Sequence, residues 1–344
     1  MEHIELEKNT DEISSSRSQN GEPKKGANGK MSYKSTFKSN DTEEWLDVVF
    51  TRPIGYQWAL FFNKFDIHPN TVTVLSMILG AACGFFFVYR ADTPHGLLMN
   101  VIGVLLLMWA NFYDSADGQL ARMSGKKSEL GRILDGASGD IWFISIYISL
   151  VIRLFPQNIP GTDVQWGWWA LLLCSVCGFY AHTVQCRRAD YYRNIHLFFL
   201  KGDAGSELTN SAQQKKIDAE TSWSKDFIKK FFLLFYVNYC EKQEKDTPKF
   251  QAFFHRVKSQ YGNDIPQWLR NEFRKGSLPL MKYTNILTFN TRAIALYISC
   301  LIDMPWLYLL FELTVLMALY IYMGHQHEKH CEQLLIKLQT NASN

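Results

Sequence analysis

The chain has 344 residues, with 36 Lys and Arg against 33 Asp and Glu; the formal charge of +3 gives no ground for a nucleic-acid partner. Mean hydropathy is -0.13, the value of an ordinary soluble protein, yet that average hides a mosaic of very polar and very apolar stretches. Seven cysteines, an odd number scattered mainly through apolar runs, exclude a disulfide framework, and the N-terminus has no apolar stretch of the kind a cleavable signal peptide carries.

Residues 1–40 hold almost no large apolar side chains and are expected to be a disordered polar tail. Residues 41–69 follow as an interfacial unit. Within them 43–63 mixes aromatics with charges, as in an amphipathic helix lying on a membrane, and ends at His68-Pro69-Asn70. Asn70 is placed to cap the next helix, with Pro69 enforcing an extended approach. A bilayer core of about 30 Å needs roughly 20 mostly apolar residues per crossing. Six segments meet or approach that: 71–90, 95–113, 140–155, 166–185, 285–302 and 305–323. The third is short and is expected to begin further back, near Leu134. The last two are separated only by Asp303-Met304, which fits a hairpin between helices.

The chain therefore divides into helices one to four over 70–200, a polar insertion over 201–283, helices five and six over 284–324, and a tail over 325–344. Arg122, Lys126, Lys127 and Arg132 stand between spans two and three, and eighteen Lys and Arg lie from Arg187 to Lys282, whereas 154–165 has none. The excess of basic residues places both loops and both termini on the cytoplasmic side. The expected fold is an all-α membrane protein of six transmembrane helices with an N-terminal interfacial helix. Inside the insertion, 231–240 is apolar but only half a crossing long, so it is expected to rest on the membrane surface or pack within an appendage.

Ionisable residues at membrane depth are costly and mark functional sites. One cluster dominates: Asp114-x-x-Asp117-Gly118-x-x-Ala121-Arg122, then eight residues, then Gly131-x-x-x-Asp135. Asp114 and Asp117 share one helix face, and Asp135 would come from the next helix, so three carboxylates can converge. Their mutual repulsion is removed by a hard divalent cation such as Mg²⁺ or Mn²⁺. Gly118 and Gly131 let a bulky ligand near the backbone, and Arg122 offers a permanent charge to an anion.

These seven positions resemble the signature of the CDP-alcohol phosphotransferase family, D-x-x-D-G-x-x-A-R-x8-G-x3-D-x3-D, which lies in a six-helix membrane core. The resemblance covers about 50–323 and omits the tail and the insertion. It implies a two-metal site that activates the pyrophosphate of a CDP-linked substrate. Asp114, Asp117 and Asp135 would be metal ligands, with Gly118, Ala121, Arg122 and Gly131 on the nucleotide side. A homodimer is the family's common state. The signature's fourth aspartate, a metal ligand and base for the acceptor hydroxyl, should stand at 139, but this chain has Gly139 followed by Asp140. One residue turns a helical side chain by about 100°. A π-bulge in the small run Gly136, Ala137, Ser138, Gly139 would restore Asp140 as the fourth metal ligand and catalytic base.

Arg187, Arg188 and Arg193, after span four, are candidates to hold a phosphorylated acceptor, although they equally suit the basic cytoplasmic face. Arg292, inside span five, either snorkels or reaches into a polar cavity; the cavity is favoured and makes it a fourth acceptor candidate. Cys174-x-x-Cys177 lies in an apolar span, His325, His327 and His330 lack zinc-protease spacing, and 125–128 fails the P-loop pattern. The expected activity is transfer of a phosphatidyl group from CDP-diacylglycerol to a polar alcohol, inositol or inositol phosphate first, releasing CMP. Two alternatives stay open: a CDP-choline or CDP-ethanolamine transferase to diacylglycerol, and a non-catalytic membrane binding protein that lost the fourth aspartate.

Overall fold

The computed structural model describes residues 39, 41–202, 206 and 208–343; apart from Ser39, the expected disordered tail lies outside them. Helices dominate throughout, with no strand among the described residues and one isolated bridge, Asn158 to Gln165. We number the helices α1 (Arg52–Lys64), α2 (Pro69–Phe87), α3 (Pro94–Ser124), α4 (Glu129–Leu154), α5 (Gly167–Lys201), α6 (Ser211–Glu220), α7 (Phe227–Lys245), α8 (Pro248–Tyr261), α9 (Gln267–Ile286), α10 (Phe289–Leu301) and α11 (Trp306–Thr340). A π-helical turn, Asp47–Thr51, leads into α1, and two more lie inside α5 (Val176–His182) and α11 (Glu312–Leu316).

Among the described residues five helices, α2, α3, α4, α5 and α11, are long and apolar enough to cross a membrane. The helix expected as span five is α10, only 13 residues long; at 1.5 Å per residue it covers about 20 Å, short of a full crossing. Leu287 and Thr288 interrupt the chain before it, and Asn290 is tied by its side-chain amide to Glu44 (2.8 Å) and Asp47 (2.9 Å).

Local chemistry sets the helix starts. Pro69 opens α2, but the cap is His68, whose Nδ1 accepts from the Asn70 amide at 3.2 Å. The Asn70 side chain instead accepts from Ser128 Oγ at 3.3 Å, across to the head of α4. Thr93 caps α3 and Ser128 caps α4, each accepting from an amide three residues on. Gly125, at φ 70°, ends α3 in the left-handed conformation that favours glycine.

Helix α2 packs closely on α3 and α4 through small residues. A Cβ on Gly80 would lie 2.0 Å from Trp142 Cδ1, and one on Gly84 would lie 2.2 Å from Ser145 Oγ. The same seam is stitched by Trp142 Nε1 to Ser76 O (3.1 Å) and Ser145 Oγ to Ala81 O (2.6 Å). Glycine here permits the backbone approach that membrane helices use when lipid supplies no hydrophobic drive between them.

At the end of the bundle away from Gly125, buried Arg153 donates to Asn100 Oδ1 (2.7 Å), Cys300 O (2.9 Å) and Asp303 Oδ1 (2.7 Å). Asp303, at φ 59°, forms the expected hairpin between α10 and α11 and also accepts from Arg90 (3.0 Å). Burial alone would raise the Asp303 carboxyl; the hydrogen bonds from Arg153, the Ala91 amide and Arg90 leave it below its ordinary range.

Helices α5 and α11 run past the expected limits of 185 and 323. Their extensions join α8 and α9 in one core that includes Tyr192, Phe199, Phe250, Phe253, Phe273 and Leu334. Phe199 stacks on Phe273 with ring centroids 3.9 Å apart. The insertion and the tail thus share a hydrophobic cluster with the bundle.

Candidate active site

Asp114, Asp117, Gly118, Ala121 and Arg122 lie on the last turns of α3, and Gly131 and Asp135 on the first turns of α4. The Gly125 turn reverses the chain between them, so the two helix ends meet. One ligand atom from each of Asp114, Asp117 and Asp135 lies within 4.8 Å of the others. Ser138 Oγ donates to Asp114 Oδ1 at 2.6 Å and holds that carboxylate toward α4. Asp117 is only 3% exposed, and its Oδ2 is buried with no hydrogen-bond partner. Three acidic oxygens this close, one buried without a donor, fit a hard divalent cation. The donor set is all oxygen, which suits Mg²⁺ or Mn²⁺ over softer metals.

The glycines of the motif have distinct surroundings. At Gly118 a Cβ would come 3.4 Å from the Arg122 guanidinium, so Gly118 and Arg122 share one corner of the site. At Gly131 it would come 2.6 Å from Asn70 Oδ1, and glycine therefore lets the head of α4 reach α2. Ala121 is partly buried on the same helix end.

Position 140 differs from expectation. Helix α4 is a regular α-helix through 136–140, without a π-bulge. The 100° rotation therefore stands, and Asp140 lies outside the three-carboxylate group. Its side chain is 56% exposed and its Oδ1 sits 3.8 Å from His182 Nε2 on α5. The π turns occur on the helices opposite, where one ends at His182 and the other begins at Glu312.

Behind His182 lies a buried polar network. His182 Nδ1 is 3.6 Å from Glu312 Oε1, 3.5 Å from the Tyr147 hydroxyl and 3.4 Å from Arg292 Nη1. Arg292 and Glu312, both fully buried, form an ion pair. Arg292 Nη2 also donates to Gln185 Oε1 (2.5 Å) and its Nε to Leu287 O (3.2 Å), while Tyr147 donates to Glu312 Oε2 (2.6 Å). Arg292 neither snorkels nor lines an open cavity; its three nitrogens are spent inside the protein.

The remaining arginines are also engaged. Arg187 pairs with Asp246 (2.8 Å), Arg188 lies over the Tyr320 ring at 3.8 Å, and Arg193 donates to Asn285 Oδ1 at 3.1 Å. The hollow beside Arg187 and Arg188 has about 10 Å³ of space, room for at most one water. A larger cavity of about 520 Å³ opens between α9 and α11, and no residue of the acidic group lines it.

Helix α7 is tied to the head of α4 and to α5. Lys229 pairs with Glu129 (2.8 Å), Arg132 sits over the Tyr236 ring at 5.8 Å, and Tyr239 donates to Asp190 Oδ2 at 3.1 Å. Burial first, and then the Asp190 charge, push the Tyr239 hydroxyl well above its usual range.

His182, Glu312, Tyr147 and Gln185 were not singled out from sequence. Glu312 carried a signal of its own: an acid in the middle of an apolar run expected to cross the membrane.

Comparison with known proteins agrees with the geometry. The family model for CDP-alcohol phosphatidyltransferase matches residues 66–194. An uncharacterized protein of Aquifex aeolicus is 35% identical over 75 residues, covering 22% of this chain and 34% of that protein. The match thus spans about a third of the length of that curated relative. No solved structure matches the chain. The stretch matched by that family model, residues 66–194, contains all three converging carboxylates.

Proposed function

We propose that the chain is a multi-pass membrane enzyme that transfers a phosphatidyl group from CDP-diacylglycerol to a polar alcohol and releases CMP. The observation that carries this reading is the convergence of Asp114, Asp117 and Asp135, with a buried Asp117 oxygen left for a cation, inside the family-matched stretch. Asp114, Asp117 and Asp135 hold two divalent cations, Mg²⁺ or Mn²⁺, which supply charge neutralisation at the pyrophosphate. Gly118, Ala121 and Gly131 leave space for the cytidine nucleotide and Arg122 takes its negative charge.

Asp140 stands beside this group and takes the proton of the acceptor hydroxyl. The acceptor oxygen forms the new bond to phosphorus, the bond to CMP breaks, and CMP leaves with the electron pair. Among the acceptor-side arginines, Arg187 and Arg292 spend their charge on Asp246 and Glu312. Arg188 and Arg193 retain theirs for the acceptor. Two such charges suit an anionic acceptor such as inositol phosphate as well as inositol itself.

The site faces the cytoplasm of a bacterial inner membrane or an ER-type membrane, with six helices in the bilayer, α10 among them, and both termini inside. The helix at 43–63 and α7 lie in the interface. Trp45, Phe61, Phe231 and Phe235 are exposed on these elements, as an amphipathic helix requires for burial in lipid. The enzyme works as a homodimer. Gly139 favours a second reading, a nucleotide-binding membrane protein without turnover. Purified protein incubated with CDP-diacylglycerol, Mg²⁺ and a panel of alcohols separates the two. A phosphatidyl product formed with one acceptor supports the enzyme, and nucleotide binding without product on any acceptor supports the binding protein.

A further inference from the structure

Position 139 has no carboxylate, and Asp140 is not one of the three clustered acids. Its side chain instead lies against His182 of α5. We propose that His182, held by the buried Arg292–Glu312 pair, is the positioning residue that aims Asp140 at the acceptor hydroxyl, replacing an aspartate at 139. This inference rests on the transferase reading above.

His182 Nε2 faces Asp140 Oδ1 at 3.8 Å, with Cys186 Sγ also beside it at 3.7 Å, and Nδ1 faces Glu312 Oε1 at 3.6 Å. The ring is fixed in its plane by Phe143, at a centroid distance of 4.4 Å, and is almost fully buried. A ring N–H on Nε2 engages Oδ1 and leaves Oδ2 for the hydroxyl; such contacts tighten when substrate closes the site.

Glu312 has no freedom to drift. It takes Arg292 and Tyr147 on its two carboxylate oxygens, and its backbone carbonyl accepts from Gln185 at 3.1 Å. The two π turns give this arrangement its register. Each adds a residue to its turn, bringing His182 to the end of one and Glu312 to the start of the other. Arg292 and Glu312 lie outside residues 66–194, so this support for Asp140 is an addition from α10 and α11.

A Cβ on Gly139 meets nothing within 4 Å, so a side chain can begin there without displacing a neighbour. That allows a swap experiment. CMP release is measured for wild type, His182→Asn, the double variant Gly139→Asp/Asp140→Ala, and the double variant carrying His182→Asn. Melting temperature and CDP-diacylglycerol affinity are measured for all four.

In the wild-type background, His182→Asn is expected to lower kcat by on the order of 100-fold, the scale of a misplaced catalytic group. KM for CDP-diacylglycerol, its affinity and the melting temperature stay unchanged. The Gly139→Asp/Asp140→Ala enzyme is expected to turn over at close to the wild-type rate and to be indifferent to His182→Asn. The proposal is overturned if His182→Asn leaves kcat within about threefold of wild type. It is equally overturned if the swapped enzyme is folded but inactive, or is slowed by His182→Asn as much as wild type. Absence of CMP release by the wild-type protein overturns the transferase reading itself, and this inference with it.

Discussion

Asp140 and His182 face one another from α4 and α5, with Oδ1 3.8 Å from Nε2, and Asp140 is not among the three clustered aspartates. The separation divides the acids by role. Asp114, Asp117 and Asp135 are close enough to need a cation, whereas Asp140 has an imidazole for company.

The first group predicts a crossover in stability. Without cations the three carboxylates repel within a 4.8 Å group, so Asp117→Asn should raise stability by about 1–3 kcal/mol. Saturating Mn²⁺ should reverse the order, raising the wild-type melting temperature by about 5 °C and leaving the variant unmoved. Melting curves with chelator and with Mn²⁺ read both effects. Equal shifts in the two proteins would remove Asp117 from the metal site.

The buried Arg292–Glu312 pair gives a second prediction. Glu312→Gln leaves a guanidinium uncompensated in a site with no water contact, at a cost of about 3–5 kcal/mol. The melting temperature should fall by about 10 °C. A double variant replacing both side chains with apolar ones of similar volume should recover most of the loss. If the single variant melts with wild type, the pair is not closed as described.

Much of this was legible from residue types and spacing, and the reasons are local. The Asp114 to Asp135 motif states its own geometry, because a three-residue spacing on one helix and a glycine-ended turn to the next leave little choice of direction. The hairpin at Asp303 was equally plain, being two residues between apolar runs. Asn70 was misread as a cap because the imidazole of His68 does the same work one residue pair earlier. The extent of α5 and α11 was underestimated for a different reason. Apolar length marks where lipid ends, whereas these helices continue by packing on α8 and α9, a tertiary contact that hydropathy does not record. The network around His182 was hidden because its members come from four helices; Arg292 and Glu312 stand out as charges within apolar runs, but neither reveals its partner.

Close packing along α2 makes two glycine substitutions diverge. Gly80→Ala would drive a methyl into Trp142 at 2.0 Å and should cost about 1–3 kcal/mol. Gly136→Ala meets nothing within 4 Å on a regular helix, and should stabilise by up to about 1 kcal/mol. Thermal unfolding of the two variants should move in opposite directions; a shared direction would contradict the packing of α2 on α4.

Glu44 supplies a pH dependence. Its carboxyl is raised to about 6, chiefly by burial, with Asn290 pulling it down and Asp47 pushing it up. A folded value above the unfolded one, whose reference is 4.5, means that the contribution is fully present below about 4.5. It is lost as pH rises through about 6. After discounting for its partial exposure, about 1 kcal/mol is at stake. Glu44→Gln should flatten the difference in stability between pH 4.5 and 6.5 by that amount, and identical pH profiles would remove Glu44 from the account.

The most direct measurement is CMP release from CDP-diacylglycerol with Mg²⁺, by wild type and by Asp117→Asn in detergent. Acceptor-stimulated release by wild type, reduced at least 100-fold in the variant although it remains folded, is the predicted result. Release that persists in Asp117→Asn, or its absence from wild type with every acceptor, would contradict the assignment of the three-carboxylate group as the site of phosphatidyl transfer.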